Sequence, residues 1–168
     1  MEDNTRHEQN MLLALALAEK TLAQGEFPVG CVFVRNGEVI AQGARQNSRG
    51  SSVNEIDHAE ILTLRSLLRR EPDIDLGSVT VYSTMEPCLM CYSTMLLSGI
   101  REFVWAYEDV MGGGCNLDLS SLPPLYAEMR VTLQGRIMRN EALRLFQYFF
   151  KNFHYWQDSL LSRYTLAQ

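Results

Sequence analysis

Val79-Thr80-Val81-Tyr82-Ser83, running on through Thr84-Met85-Glu86-Pro87-Cys88-Leu89-Met90-Cys91, is the stretch on which the reading of this chain turns. Its first half is β-branched and aromatic, the pattern of a buried strand. Pro87 stands where a first helical residue would be, and Gly99 stands where a helix would stop. This predicts a helix over residues 88–98. A strand that feeds directly into a helix is half of a βαβ unit, and Phe103-Val104-Trp105-Ala106-Tyr107 supplies the next strand.

The pattern continues in both directions. Upstream, the runs Val29–Arg35 and Glu38–Ala41 flank Asn36-Gly37, the strongest short signal for a hairpin. Residues 58–70 read as a helix with Ile61, Leu64, Leu67 and Leu68 on one face and Pro72 beyond its end. Residues 9–23 are rich in Leu and Ala and stop at Gly25, a further helix. Downstream, residues 129–133 suggest another strand, and a long aromatic helix is expected from about Asn140 onward. Strands alternating with helices predict a layered α/β sandwich, and the hairpin makes its sheet mixed.

The chain has 168 residues, a length that suits one domain over 1–168, and 46% of them are hydrophobic, enough for a substantial core. The formal net charge of −5 weighs against a protein that works mainly by gripping phosphate backbone. No apolar run approaches the roughly 20 residues a membrane span needs. The polar start from Met1 to His7 lacks the pattern of a signal peptide, so a cytoplasmic protein is expected. In a reducing compartment the four cysteines, Cys31, Cys88, Cys91 and Cys115, point to metal binding or redox work rather than disulfides.

Two short stretches concentrate the chemistry: Asp57-His58-Ala59-Glu60 and Glu86-Pro87-Cys88-Leu89-Met90-Cys91. Cys88 and Cys91 can place both sulfurs on one metal from the first turn of a helix, and His58 can add a third ligand. Zinc accepts such a set, and a catalytic site keeps its fourth position for water. Both stretches fall at expected helix N-termini, whose partial positive charge favours thiolate. Glu60 lies too near His58 along one turn to share the metal, yet near enough to take a proton from the bound water. Two other readings remain: a thioredoxin-like redox pair, and a closed structural zinc with Cys31 or Cys115 as fourth ligand. Neither gives Glu60 a task. The other two histidines, His7 and His154, lie near the chain ends.

His-x-Glu followed by Pro-Cys-x-x-Cys is the signature of zinc nucleobase deaminases. On these residues the chain resembles the cytidine deaminase-like superfamily, and its tRNA-specific adenosine deaminase branch most of all. Glu26-Phe27-Pro28-Val29-Gly30 looks like that branch's Val-Pro-Val-Gly strand opening, Tyr82–Cys88 like its Thr-x-Glu-Pro-Cys, and Phe149-Phe150 like its terminal Phe-Phe. The resemblance implies a three-layer α/β/α sandwich with a five-stranded mixed sheet, usually a homodimer, with one Zn2+ per chain on His58, Cys88 and Cys91. It implies attack of activated water on the amine-bearing carbon, C6 of adenine or C4 of cytosine, with Glu60 moving the protons.

The zinc motif marks the superfamily but not the substrate. Adenosine in a tRNA anticodon loop and a free base or nucleoside (guanine, adenine or cytosine) both stand as substrates, with a non-catalytic zinc module as a reading of another class. The chain departs from the tRNA branch at Asn54-Glu55-Ile56-Asp57, at Tyr92-Ser93-Thr94 and at Gly112-Gly113-Gly114-Cys115-Asn116, and its tail has few basic residues. Candidate substrate contacts are Asn47, in the loop where relatives place an asparagine, with Phe27 and Val29 at the strand opening. Glu108 and Asp109 follow a strand at the carboxyl end where α/β sites gather, and a solvated loop pair is the alternative. Phe27 and Tyr107 can stack on a base or pack in the core. Phe146, Phe149, Phe150, Phe153 and Trp156 read as helix packing, with an RNA platform as the other possibility.

Overall fold

The Asn36-Gly37 turn closes a two-strand unit, with φ of 53° and 82° at its two residues, the left-handed pair that a type I′ hairpin requires. The computed structural model describes residues 2–168. This hairpin joins β1 (Gly30–Arg35) to β2 (Glu38–Ala44), after α1 (Glu2–Ala23). There follow α2 (Ala59–Arg70), β3 (Thr80–Met85), α3 (Leu89–Ser98), β4 (Glu102–Tyr107), α4 (Pro124–Ala127), β5 (Thr132–Gln134), α5 (Arg139–Asn152) and α6 (Leu160–Leu166). The five strands form one sheet in the order β2-β1-β3-β4-β5. β1 runs antiparallel to both β2 and β3, while β3, β4 and β5 are parallel. The mixed sheet expected from the hairpin is present.

Helices cover both faces. Successive residues of β1 point to opposite sides. A Cβ at Gly30 would meet the Ala14 carbonyl of α1 at 2.1 Å, so only glycine lets α1 lie this close. The next residue, Cys31, lies beside Thr63 of α2 on the other face. α1 packs with α5, and α2 with α3, which gives the three-layer α/β/α sandwich. The core is dense with aromatic rings, among them Phe33, Tyr82, Tyr92, Phe103, Tyr107, Phe146 and Phe149, all essentially inaccessible to solvent. Two of the buried hydroxyls are bonded, Tyr82 to His7 at 2.8 Å and Tyr107 to Thr165 at 3.1 Å. No helix among the described residues is long and apolar enough to cross a membrane.

Three expectations are corrected. α3 begins at Leu89 with Cys88 as its N-cap in extended conformation, so Pro87 precedes the cap instead of opening the helix. Cys88 is held extended because it pairs with Gly113, with Leu89 N–H on the Gly112 carbonyl and Gly114 N–H on the Pro87 carbonyl. The strand expected over 129–133 is the short β5, shifted towards its C-terminus. Met129 and Val131 pack against the core, and pairing with β4 starts only at Thr132. The aromatic tail is two helices, not one. α5 ends at Asn152 with Phe153 extended as its C-cap, and Trp156 and Asp158 adopt φ of 55° and 61° before Ser159 caps α6. Burying Tyr155 against Phe27, with centroids 5.5 Å apart, outweighs continuing the helix.

The topology gathers the chemistry at one edge of the sheet. Because β1 is antiparallel to β3, its first residues lie beside the last residues of β3, where Gly30 N–H bonds Thr84 Oγ1. Met85, at the end of β3, pairs with Tyr107 at the end of β4. α2 and α3 both present their N-termini there, the carboxyl end where α/β sheets place their ligands.

Candidate metal centre and active site

His58 is the N-cap of α2 and Cys88 the N-cap of α3, and neither side chain is used for capping. Both are therefore free to point at a shared centre. His58 Nδ1 lies 3.5 Å from Cys88 Sγ and 3.5 Å from Cys91 Sγ. Among the described residues, these three form the one group of His, Cys, Asp or Glu ligand atoms suited to a metal, all within 4.8 Å of one another. In a tetrahedral zinc site with bonds of about 2.3 Å to sulfur and about 2.0 Å to nitrogen, the sulfur–nitrogen edge is about 3.5 Å. The residues fit zinc in donor chemistry and in spacing. Cys31 and Cys115 are free and buried and stand outside this group.

The electrostatics favour metal binding. A hydrogen bond from Cys91 holds the Cys88 thiol down to about 4 against the cost of its burial, with His58 adding to the effect. Giving that proton to Cys88, and its own burial, push Cys91 up. Burial works against a charged His58, but the Cys88 thiolate and Glu60 outweigh it and raise its pKa. A cation seated among these groups replaces the shared proton.

Glu60, in the first turn of α2, is 3% exposed. One carboxylate oxygen lies 3.6 Å from Cys91 Sγ, and the other accepts from Ser83 Oγ at 3.1 Å. Burial, then the neighbouring Cys88 thiolate, raise its pKa above the ordinary carboxylate value. Ser83 carries no motif; only the pairing of β3 inside the sheet brings it under Glu60.

A cavity of about 320 Å³ opens onto the ligands, a size typical of small-molecule pockets. Of the residues singled out in the sequence, His58, Glu60, Cys88, Phe27, Val29 and Asp109 line it. Phe27 is both wall and core, 6% exposed and packed on Phe146, Phe149, Phe150 and Tyr155. The Ser48 hydroxyl fixes its backbone, accepting from Phe27 N–H at 2.7 Å. Tyr107 is wholly core, stacked on Phe146. Asp109 caps the following turn through Met111 and Gly112 N–H.

Asn47 and Glu108 are not in the cavity wall. Asn47, with φ of 53°, donates to Asp57 at 2.7 Å, and Asn54 donates to the same oxygen. Glu108 turns towards the tail, where Arg139 grips both its oxygens and the Tyr164 hydroxyl donates at 2.7 Å. Burial opposes its charge, but these donors hold it down to about 2. The wall also contains Arg45, Glu55 and Tyr155, which the sequence reading did not assign, and Trp156, which was expected to pack within a helix but lies in the turn between α5 and α6, 43% exposed. The unusual Asn54-Glu55-Ile56-Asp57 run was the one available pointer to any of the first three. The loop facing α3 explains two of the three glycines: a Cβ at Gly113 would meet Glu86 at 2.7 Å, and one at Gly114 the Leu89 backbone at 2.8 Å.

The family model of the cytidine and deoxycytidylate deaminase zinc-binding region matches residues 4–107, more than half of the chain and a range that includes His58, Cys88 and Cys91. The chain belongs to this family. It is a zinc-dependent hydrolytic deaminase of nucleobases. The deaminase is 30% identical over 138 residues to the tRNA-specific adenosine deaminase of Streptococcus pyogenes serotype M18, covering 82% of this chain and 86% of that one. It is 36% identical over 118 residues to the Bacillus subtilis enzyme of the same name, covering 70% and 71%. Its 37% identity over 112 residues to the tad2 subunit of the Schizosaccharomyces pombe tRNA-specific adenosine deaminase covers 67% of this chain but 28% of that longer protein.

Among solved structures, one from a study of A-to-I editing by tRNA:A34 deaminases superposes with a TM-score of 0.68 at 25% identity, covering 82% of this chain and 98% of that one. A guanine deaminase from Nitrosomonas europaea shares the fold, with a TM-score of 0.67 at 20% identity, covering 84% and 83%.

Proposed function

We propose that this deaminase converts adenosine to inosine in the anticodon loop of a tRNA. The carrying observation is the 30% identity to a tRNA-specific adenosine deaminase over 82% of this chain and 86% of the relative. The cavity suits the proposal: a loop base can be splayed out of its stack and inserted singly, so the pocket need hold only one base.

In this reading His58, Cys88 and Cys91 hold the zinc, which when bound makes water a nucleophile at neutral pH. Water adds to C6 and ammonia leaves. Glu60 takes one proton from the water and gives it to the adjacent ring nitrogen, then takes the second from the hydroxyl now on C6 and gives it to the amine, which leaves as ammonia while C6=O forms. Burial beside the ligands suits Glu60 to this work, because it is shielded from bulk water and steered by Ser83. Phe27, Val29 and Asp109 line the pocket that takes the base. Asn47 and Glu108 support the pocket from behind, Asn47 by orienting the loop that leads to His58 and Glu108 by anchoring the tail.

We infer further that 1–168 is one deaminase domain, since α5 and α6, beyond the matched region, pack on the same fold. Pairing into a homodimer is supported by Leu89 and Leu97, which leave α3 53% and 62% exposed. A tRNA substrate and ligating thiols that must stay reduced support a cytoplasmic setting.

The test is kcat/KM on an anticodon stem-loop and on free bases and nucleosides at two ionic strengths. Inosine in the stem-loop, with turnover falling steeply as salt rises, is expected. Salt-insensitive turnover of a free base, with no inosine in the stem-loop, overturns the tRNA reading in favour of a small-molecule deaminase.

A further inference from the structure

The two ring nitrogens of His58 face different surroundings. Nδ1 faces the two sulfurs, whereas Nε2 points away from them to Glu55 Oε2, 3.5 Å distant. Glu55 sits in the loop that leads into α2. A glutamate that is 52% exposed would ordinarily sample many rotamers in water, and a pairing made by it would be weak. This one is held. The Tyr155 hydroxyl donates to its carboxylate, 2.7 Å from one oxygen and 3.0 Å from the other. Arg45, whose side chain is 2% exposed, lies 3.5 Å from Glu55 Oε2 and donates to the Tyr155 oxygen at 3.1 Å. The same guanidinium donates to the Asn54 carbonyl at 2.6 Å, fixing the backbone just before Glu55.

Tyr155 itself is anchored. Its ring packs on Phe27, Phe149 and Trp156 and lies beneath the Arg45 guanidinium. It belongs to the segment between α5 and α6 in which Trp156 and Asp158 take left-handed conformations. Bulky residues adopt these only where the surroundings over-determine them. The tail is thus bent to bring Tyr155 over the cavity mouth, onto the Glu55 carboxylate that faces His58 Nε2.

We propose that Glu55 is a positioning residue of the zinc site, accepting the Nε2–H of His58 while Tyr155 and Arg45 hold its carboxylate in place. The inference rests on the reading of His58 as a ligand. A histidine that ligates through Nδ1 carries its proton on Nε2, and that proton needs an acceptor. A carboxylate there fixes the tautomer and the ring orientation and makes the ligating nitrogen more basic. The C-terminal segment, far from the metal motifs in sequence, thereby takes part in holding the metal.

The experiment is chelator competition on the full-length zinc-loaded protein, with the absorption spectrum of the cobalt-substituted form, for wild type, Glu55→Ala, Glu55→Gln, Tyr155→Phe and His58→Ala. Zinc affinity is expected to fall about 10- to 100-fold in Glu55→Ala and less in Glu55→Gln, which keeps a neutral acceptor. Tyr155→Phe shifts it the same way by a smaller factor, and adding Tyr155→Phe to Glu55→Ala costs nothing further, because the tyrosine acts through the carboxylate. The cobalt bands shift in the Glu55 variants while the melting temperatures of the metal-free proteins stay together. Wild-type zinc affinity in both Glu55 variants overturns the positioning role. Full zinc retention in His58→Ala overturns the ligand assignment itself, a separate failure that the Glu55 variants cannot mimic.

Discussion

The Glu60 carboxylate lies 3.6 Å from the Cys91 sulfur with its other oxygen on the Ser83 hydroxyl. It is therefore beside the metal-binding triangle but outside it: the three ligand atoms cluster without it. This geometry separates proton transfer from metal binding. Glu60→Gln keeps the shape and the Ser83 bond and removes the base. Turnover is expected to fall by at least about 10²- to 10⁴-fold with zinc still at one per chain by metal analysis. Loss of zinc together with activity would make Glu60 a ligand instead.

The ligand set is tested by removing each donor. Cys88→Ser, Cys91→Ser and His58→Ala are each expected to purify without stoichiometric zinc. Cys31→Ser and Cys115→Ser keep it, because Cys31 is engaged with Thr63 between β1 and α2 and Cys115 bonds Glu86 through its backbone. Release of the metal by either of the latter would mean a closed, four-protein-ligand site, which leaves no position for water.

Glu108 and Arg139 tie the end of β4 to the tail, and their pairing makes stability depend on pH in a stated direction. The folded-state pKa of Glu108 is depressed from 4.5 to about 2. As pH falls, the unfolded chain takes up this proton first. The pair's contribution is therefore complete above about pH 4.5, declines below it and is gone once pH falls through about 2. Glu108→Gln is expected to melt below wild type at neutral pH, with the gap closing between pH 4.5 and pH 2. A gap of constant size across that range would show that the bonds to Arg139 and Tyr164 do not depend on the charge of Glu108.

Much of this protein was legible locally. Asn36-Gly37 closes a hairpin because both residues tolerate positive φ, and Gly99 ends α3 for the same reason, at φ 113°. The pairs His58 with Glu60 and Cys88 with Cys91 were each legible as candidates because each falls within a single helical turn, which sequence spacing sets directly. The strand after residue 129 and the tail helix were legible in kind but not in extent, because pairing with β4 and the burial of Tyr155 decided where they begin and end.

The sequence by itself determined the layered α/β order and the two short motifs, His58 with Glu60 and Cys88 with Cys91, since each follows from residues a few positions apart; the packing of α2 beside α3 is what brings His58 to the two sulfurs, 30 and 33 residues on. Only the tertiary structure decided which loop side chains face the cavity. Asp109 lines it while its neighbour Glu108 is turned away by Arg139, 31 residues on, and Glu55 is held at the mouth by Tyr155, 100 residues on. The direction of a loop side chain is set by partners that arrive from elsewhere in the chain, and no local periodicity encodes their arrival.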